Sequence, residues 1–177
     1  RWRNEDLDFA IALADCLLAN FQDEVNGGFF FTAHDHETLI QRSKSLTDDA
    51  LPAGNGIAAW SLARLGHLLG EIRYLDASEK TLGAAWMSIN DAPGAHNTLL
   101  LALEEYLDPP TSVILRGPST ALLEWKNALD RSYQPRRLCF AIPTQAEGLP
   151  GLLSQHKANN EISAYVCRGH QCLAPVH

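Results

Sequence analysis

Apolar residues at Leu7, Ala10, Ile11, Ala14, Leu17, Leu18 and Phe21 recur at three- and four-residue steps, the spacing of one stripe on a helix. That helix is expected to stop near Asn26-Gly27-Gly28. A second stripe, Ile57, Trp60, Arg64, Leu65 and Leu68, runs to Gly70, and a third, Leu75, Leu82, Trp86 and Ile89, begins almost at once. So short a join makes antiparallel neighbours. Pro93-Gly94 interrupts the chain again. Leu99, Leu100, Leu103, Tyr106 and Leu107 then form a fourth stripe, closed by Asp108-Pro109-Pro110.

Beyond the two prolines the period changes. Val113-Ile114-Leu115, a helical stretch from Ala121 to Leu129, Leu138-Cys139-Phe140-Ala141-Ile142, a turn-rich segment and Ser163-Ala164-Tyr165-Val166-Cys167 read as β-α-β-x-β. Short apolar strands separated by a helix predict a small three-stranded parallel sheet, buried on both faces. The fold class is therefore mainly α with a C-terminal α/β part. The boundary is placed at Pro109-Pro110, giving helical hairpins over residues 1–108 and a small α/β unit over 109–177.

With 177 residues and 46% apolar side chains, the chain can bury a core of ordinary size. It opens at Arg1, within an amphipathic pattern and without an initiator Met, so it is expected to be the carboxy-terminal part of a longer protein. No apolar run approaches the roughly 20 residues that span a bilayer, and no membrane association is expected. The formal charge is -7, and Arg42, Lys44, Arg64, Arg73, Lys80, Arg136 and Arg137 are scattered among acids. Nucleic acid is excluded as a partner, because it requires a concentrated basic face. Cys16, Cys139, Cys167 and Cys172 form no CxxC pair and are too sparse for a disulfide scaffold, so a reducing cytoplasm is the expected setting.

The least ordinary segment is the long connection NGGFFFTAHDHETLIQRSKSLTDDALPAGN, residues 26–55. Loops of this length in compact domains are functional or disordered, and three adjacent aromatics, Phe29, Phe30 and Phe31, argue for burial over disorder. His34, Asp35, His36 and Glu37 have metal-ligating side chains, but adjacent residues seldom converge on one ion. Hydrogen-bonded or solvated loop histidines are the better reading, and no metal is assigned. His36 or Glu37 could instead exchange protons with a polar substrate. Arg42 and Lys44, followed by Asp48 and Asp49, suit a hydroxyl-rich or anionic ligand, and equally suit salt bridges within the loop. Asn55, at the entry to the second helix, either caps it or leaves its free N–H groups to a ligand oxygen. The Gly27-Gly28 pair alone is a weak signal.

Near the carboxy terminus, Cys167, His170, Cys172 and His177 have the types of zinc ligands, but C-x2-H-x-C-x4-H is too compressed for the common structural sites. A Cys167–Cys172 disulfide requires a turn that brings the α-carbons within roughly 7 Å. Two free thiols are the preferred reading. No GxSxG, GxGxxG, P-loop or HExxH pattern is present.

The segment GGFFFTAHDHETLIQRSKSLTDDALPAGN, the following GIAAWSLARLGHLLG and the ending AYVCRGHQCLAPV together resemble the thioredoxin-domain-containing family that includes spermatogenesis-associated protein 20 and the bacterial YyaL proteins. The resemblance covers nearly the whole chain. It implies an amino-terminal thioredoxin-like domain, absent here, followed by paired helices similar to the (α/α)6 toroid of glycosidases and sugar epimerases. The helices seen here would then be an incomplete toroid, since twelve helices need roughly 300 residues. The same resemblance implies that Gly27, Gly28, Phe29, His36, Glu37, Arg42, Lys44, Asp48, Pro52, Gly54 and Asn55 face the mouth of the barrel. Phe31 departs from the family's motif, where many relatives carry Asp, and His34 and His170 do not match family positions.

Three functions follow as expectations. In the first, a carbohydrate-active barrel of epimerase or glycosidase type uses His36, Glu37 and Asp48 or Asp49 as catalytic groups, while Gly27, Gly28, Phe29, Arg42, Lys44 and Asn55 bind a sugar or other small polar ligand. Carboxyls about 5 to 9 Å apart would favour hydrolysis. In the second, the chain is a non-catalytic ligand-binding or interaction module serving the thioredoxin-like domain. In the third, Cys167 and Cys172 are a redox pair with that domain. No cofactor is assigned. Uncovered helical faces would be hidden in a homodimer.

Overall fold

The structure is a computed structural model that describes residues 2–37, 40–158 and 161–177. Among them are α1 (Asn4–Phe21), α2 (Gly54–Leu69), α3 (Ile72–Asp91), α4 (Asn97–Leu107), β1 (Thr111–Gly117), α5 (Ser119–Asp130), β2 (Arg137–Pro143), β3 (Ser163–Arg168) and β4 (Gln171–Cys172). The protein is thus mainly α with a small α/β part. No helix among the described residues is long and apolar enough to cross a membrane. The chain divides into two compact units, one comprising Asp8–Gly66 and Glu71–Asp108, the other Pro109–His177 with His67–Gly70 and the residues up to Leu7.

In the helical unit all four stripes form helices. Ala59 of α2, Leu82, Ala85 and Ile89 of α3, and Leu99 and Ala102 of α4 make one buried cluster, with Leu46, Trp60, Leu100 and Leu103 packed around it. Burying side chains the size of Leu82, Ile89 and Leu99 stabilises the fold by about 2 kcal/mol apiece. Small residues set the spacing: a Cβ at Gly56 would lie 2.7 Å from Thr98 Cβ, so α2 and α4 touch there. The third stripe is buried in part, at Leu82 and Ile89. Trp86 is exposed, and α3 turns Tyr74, Ala77, Ser78, Thr81, Leu82, Ala85 and Ile89 inward. Polar groups on that face are satisfied internally, as when Ser78 Oγ donates to Ala59 O at 2.7 Å.

Side-chain ties to charged groups also cross between helices. Arg64 of α2 makes a two-point bond to Glu105 of α4, with Nε to Oε2 at 2.8 Å, and its guanidinium stacks 4.0 Å over the Trp60 ring. Tyr74 of α3 donates to Asp15 Oδ1 of α1 at 2.5 Å. Burial and then this bond push the Tyr74 hydroxyl up to about 12.

In the α/β unit the strand order is β2-β1-β3-β4. Strand β1 pairs in parallel with β2, as the β-α-β pattern predicts, with Val113 opposite Cys139. Its other neighbour, β3, is antiparallel, with Ser112 opposite Cys167, and β4 returns antiparallel to β3. The expected three-stranded parallel sheet is therefore a four-stranded mixed sheet. A parallel β3 would need a crossover, usually a helix, to carry the chain back along the sheet. Among the described residues the connection after β2 contains the 3-10 turn Gly151–Gln155 and no longer helix, and the chain re-enters from the end it left. The fourth strand follows from Gly169-His170, a two-residue hairpin link whose Gly has φ 56°. Gly at the first position of such a link matches the strand twist. One face of the sheet packs on α5 through Val113, Leu115, Leu122 and Ala164, with Trp125, Leu129 and Ile162 at the margin.

Candidate functional site

The connection between α1 and α2 is braced from within. Its first turn is set by Asp23: Gly27 N–H donates to Asp23 O at 2.9 Å, and Asp23 N–H donates to Gly28 O at 2.8 Å. Gly27 and Gly28 both have φ +77°, and a Cβ on Gly27 would lie 2.3 Å from the Lys80 carbonyl oxygen. Only glycine satisfies both demands at Gly27. The Asp23 carboxylate accepts from Lys44 Nζ at 2.7 Å and from the Val25 and Asn26 N–H groups at 3.1 and 2.9 Å. The Lys44 bond, then the Asn26 N–H, hold it well below the usual carboxylate range. Lys44 also donates to Gly27 O at 2.9 Å.

Asn55 closes the loop from the other side. Its Oδ1 accepts from Phe29 N–H at 2.7 Å, and its Nδ2 donates to Phe29 O at 3.0 Å and Ser45 O at 2.9 Å. The side chain is buried, and all three bonds go to backbone groups, the two on Phe29 buried and the one on Ser45 partly so. Phe29 is correspondingly 4% exposed, whereas Phe31 is 81% exposed. The aromatic triplet thus does not bury as a whole.

Asp48 occupies the start of α4. Its Oδ1 accepts from Ala53 N–H and Thr98 Oγ1, and its Oδ2 from Thr98 N–H, each at 2.8 Å. Its own N–H donates to Ala95 O at 2.8 Å. The residue preceding α4, His96, makes no side-chain cap, so Asp48 supplies from a distance the acceptor that a helix N-terminus lacks. Burial works against the Asp48 charge, but the Ala53 and Thr98 bonds and the neighbouring His96 outweigh it and keep the carboxyl below its ordinary value.

Arg42 lies 4.0 Å over the Phe30 ring, donates to Thr32 O, and places Nη1 3.1 Å from His34 Nδ1. Internal pairing of the loop cations is thus observed, though with Asp23, Thr32 and His34 in place of Asp48 and Asp49. His36, Glu37 and Asp49 are exposed, and His36 Nδ1 lies 3.3 Å from Glu37 O. Two residues of this region lie outside the pattern read from sequence. Asp23 precedes the quoted loop, and the turn D-E-V-N-G-G was its only trace. His96 sits next to Asp48 in space alone; its Nδ1 lies 2.8 Å from Ala92 O, which assigns the proton there, and its Nε2 is buried without a hydrogen-bond partner.

The depressed Asp23 and Asp48 carboxyls predict a signed pH dependence. An aspartate whose folded value lies below its ordinary 3.8 stabilises the fold above that value, and the contribution is lost as pH falls through the folded one. The share of the urea midpoint owed to these two carboxyls is expected to be constant above about pH 5 and to fall steadily below it. Asp48→Asn should flatten part of that acid limb. An acid limb identical in the variant and the parent would contradict the role given to Asp48.

In the α/β unit, Cys167 and Cys172 are joined by a disulfide, with α-carbons 4.0 Å apart. The expectation of two free thiols is corrected: the hairpin at Gly169-His170 makes the two cysteines direct cross-strand partners. His156, immediately after the 3-10 turn, brings its ring to the same place. Its ring centroid lies 4.6 Å from that of Tyr165, and Nδ1 is buried without a partner. Burial, then the nearby Arg116, push its imidazole below the ordinary histidine range and favour the neutral form. His170 and His177 are otherwise engaged: His170 meets the His67 ring at 5.4 Å, and His177 Nδ1 lies 3.0 Å from Ser163 Oγ. Cys16 and Cys139 are free thiols, and burial pushes the Cys139 thiol up.

No family model matches the chain, and no curated protein matches it.

Proposed function

We propose that the helical unit is part of an (α/α) toroid of the thioredoxin-domain-containing family that its motif resembles, and that the loop of residues 26–55 serves there as a non-catalytic ligand-binding surface. The observation that carries this reading is the state of Asp48. Both its oxygens accept hydrogen bonds from Ala53 and Thr98, so the carboxylate shapes the loop and is poorly placed to exchange a proton with a substrate. Lys44, Asn55, Gly27 and Gly28 are likewise committed to the fold of the loop. Among the exposed residues of the loop are His36, Glu37, Asp49 and Phe31, polar groups and an aromatic ring of the types that suit a sugar or another small polar ligand.

Support for a larger helical assembly comes from apolar side chains left outside: Phe9 and Leu13 on α1, Trp86 and Met87 on α3, and Leu101 and Leu107 on α4. Further toroid helices, or a second copy of the chain, would cover them. A thioredoxin-like domain in the parent protein is the proposed partner, and the cytoplasm the proposed compartment.

A thermal-shift screen of the full-length protein with mono- and disaccharides tests the reading. A sugar-dependent rise in melting temperature is expected, abolished by His36→Ala and by Glu37→Ala with both variants still folded. NMR of the same mixtures should show each sugar unchanged over hours. Turnover of a sugar that Glu37→Ala stops would replace the binding module by an enzyme; no shift with any sugar would remove the ligand class.

A further inference from the structure

We propose that reduction of the Cys167–Cys172 disulfide converts this end of the sheet into a site for one zinc-type divalent ion, held by the two thiolates and the His156 imidazole. The placement comes first. One ligand atom from each of the three residues lies within 4.8 Å of the other two. Around a tetrahedral ion with Zn–S near 2.3 Å and Zn–N near 2.0 Å, ligand atoms stand roughly 3.5 to 3.8 Å apart. Once the S–S bond is broken, the two sulfurs need only separate, by side-chain rotation, into that range.

The second observation is the imidazole itself. His156 is 6% exposed, and its Nδ1 has no hydrogen-bond partner, which in a folded interior calls for an explanation. Its position is held rather than incidental. The ring packs on Tyr165, and the Tyr165 hydroxyl donates to the carbonyl of Lys157, the residue after His156, at 2.9 Å. Tyr165 lies two residues before Cys167 on β3, so one strand fixes both the histidine and the first thiol.

Charge favours a divalent ion. Two thiolates and one M2+ sum to zero beside a neutral imidazole, so the half-buried ligand set needs no counter-charge. Cys172 is exposed, which leaves a side of the site open to water as a fourth ligand.

The chemistry balances with a dithiol reductant as co-reactant. The reductant's first thiolate attacks one sulfur, the S–S bond breaks, and its second thiol closes the reductant's own disulfide while Cys167 and Cys172 leave as thiols. Metal binding then displaces two protons to solvent and forms two metal–sulfur bonds.

The test is titration of Co2+, then Zn2+, into the whole chain after reduction and removal of the reductant, with the oxidised chain alongside. One Co2+ per chain is expected, with thiolate-to-cobalt charge-transfer absorption and the visible bands of a tetrahedral site, displaced by Zn2+. The oxidised chain should show neither. Cys172→Ser should lose the charge-transfer intensity of one thiolate, His156→Ala should weaken Zn2+ binding by at least about tenfold, and His170→Ala should leave it unchanged. If His156→Ala fails to fold, imidazole NMR of the unmodified reduced chain replaces it: the His156 resonances must shift on adding Zn2+. Equal binding by oxidised and reduced chains, or unmoved His156 resonances, would overturn the proposal.

Discussion

Asn55→Ala is expected to lower the unfolding free energy by about 3 kcal/mol, since each buried group deprived of its hydrogen-bond partner costs roughly 1 to 3 kcal/mol. The substitution removes one acceptor and two donors, and strands the buried Phe29 N–H and Phe29 O, whereas Ser45 O lies on an exposed residue. The loop would lose its attachment to the first turn of α2, and Phe29 the contacts that bury it. Asn55→Asp makes a sharper control. It keeps the acceptor for Phe29 N–H but turns a carboxylate oxygen towards two carbonyls, so it should be at least as damaging despite its similar shape. The measurement is the urea midpoint at constant m-value. If either variant falls within about 0.5 kcal/mol of the parent, the range typical of neutral surface changes, the clasp does not hold the loop.

Glu105→Ala should cost about 2 kcal/mol, because removing the buried member of an ion pair leaves the charge of its half-buried partner uncompensated. Glu105 is buried on α4, and Arg64 reaches it along α2 with its guanidinium sandwiched against Trp60. The pair is not expected to be worth that much in itself. Desolvation of two charges offsets most of their attraction, so the double change Arg64→Met with Glu105→Leu should recover the larger part of the loss. A double variant as unstable as Glu105→Ala alone would mean that the damage lies in packing around Trp60.

These two sites show where reading from sequence reached and where it stopped. The stripes at 7–21, 57–68 and 99–107 were legible because a helix repeats every 3.6 residues, whatever it packs against. Trp86 was misplaced for the complementary reason: hydrophobicity says which residue gains from burial, but the face that α3 buries was chosen by the small residues Ala77, Ser78, Thr81 and Ala85, which let α2 and α4 approach. Arg64 read as a member of an apolar stripe, and its partner Glu105 lies 41 residues away. Nothing local joins them.

The same division runs through the candidate sites. The loop 26–55 stood out by composition, but its titratable side chains could be ligand groups or braces until their partners were known. Asp48 and Thr98 are 50 residues apart, and Lys44 and Asp23 are 21. In the sheet, the hairpin at Gly169-His170 was not read from sequence, which favoured two free thiols; the structure makes Cys167 and Cys172 cross-strand partners joined by a disulfide. His156 was not legible, since a lone histidine after a turn carries no spacing to read.

What the sequence by itself determined about this protein is the existence and order of α1 to α5 and of β1 to β3, because these depend on residues within a few positions of one another. Only the tertiary structure decided that β3 runs antiparallel, that Asp48 caps α4, that Asn55 clasps Phe29, and that His156 meets two cysteines. Each of these rests on a contact between groups far apart in the chain, where burial, and not local preference, selects the partner.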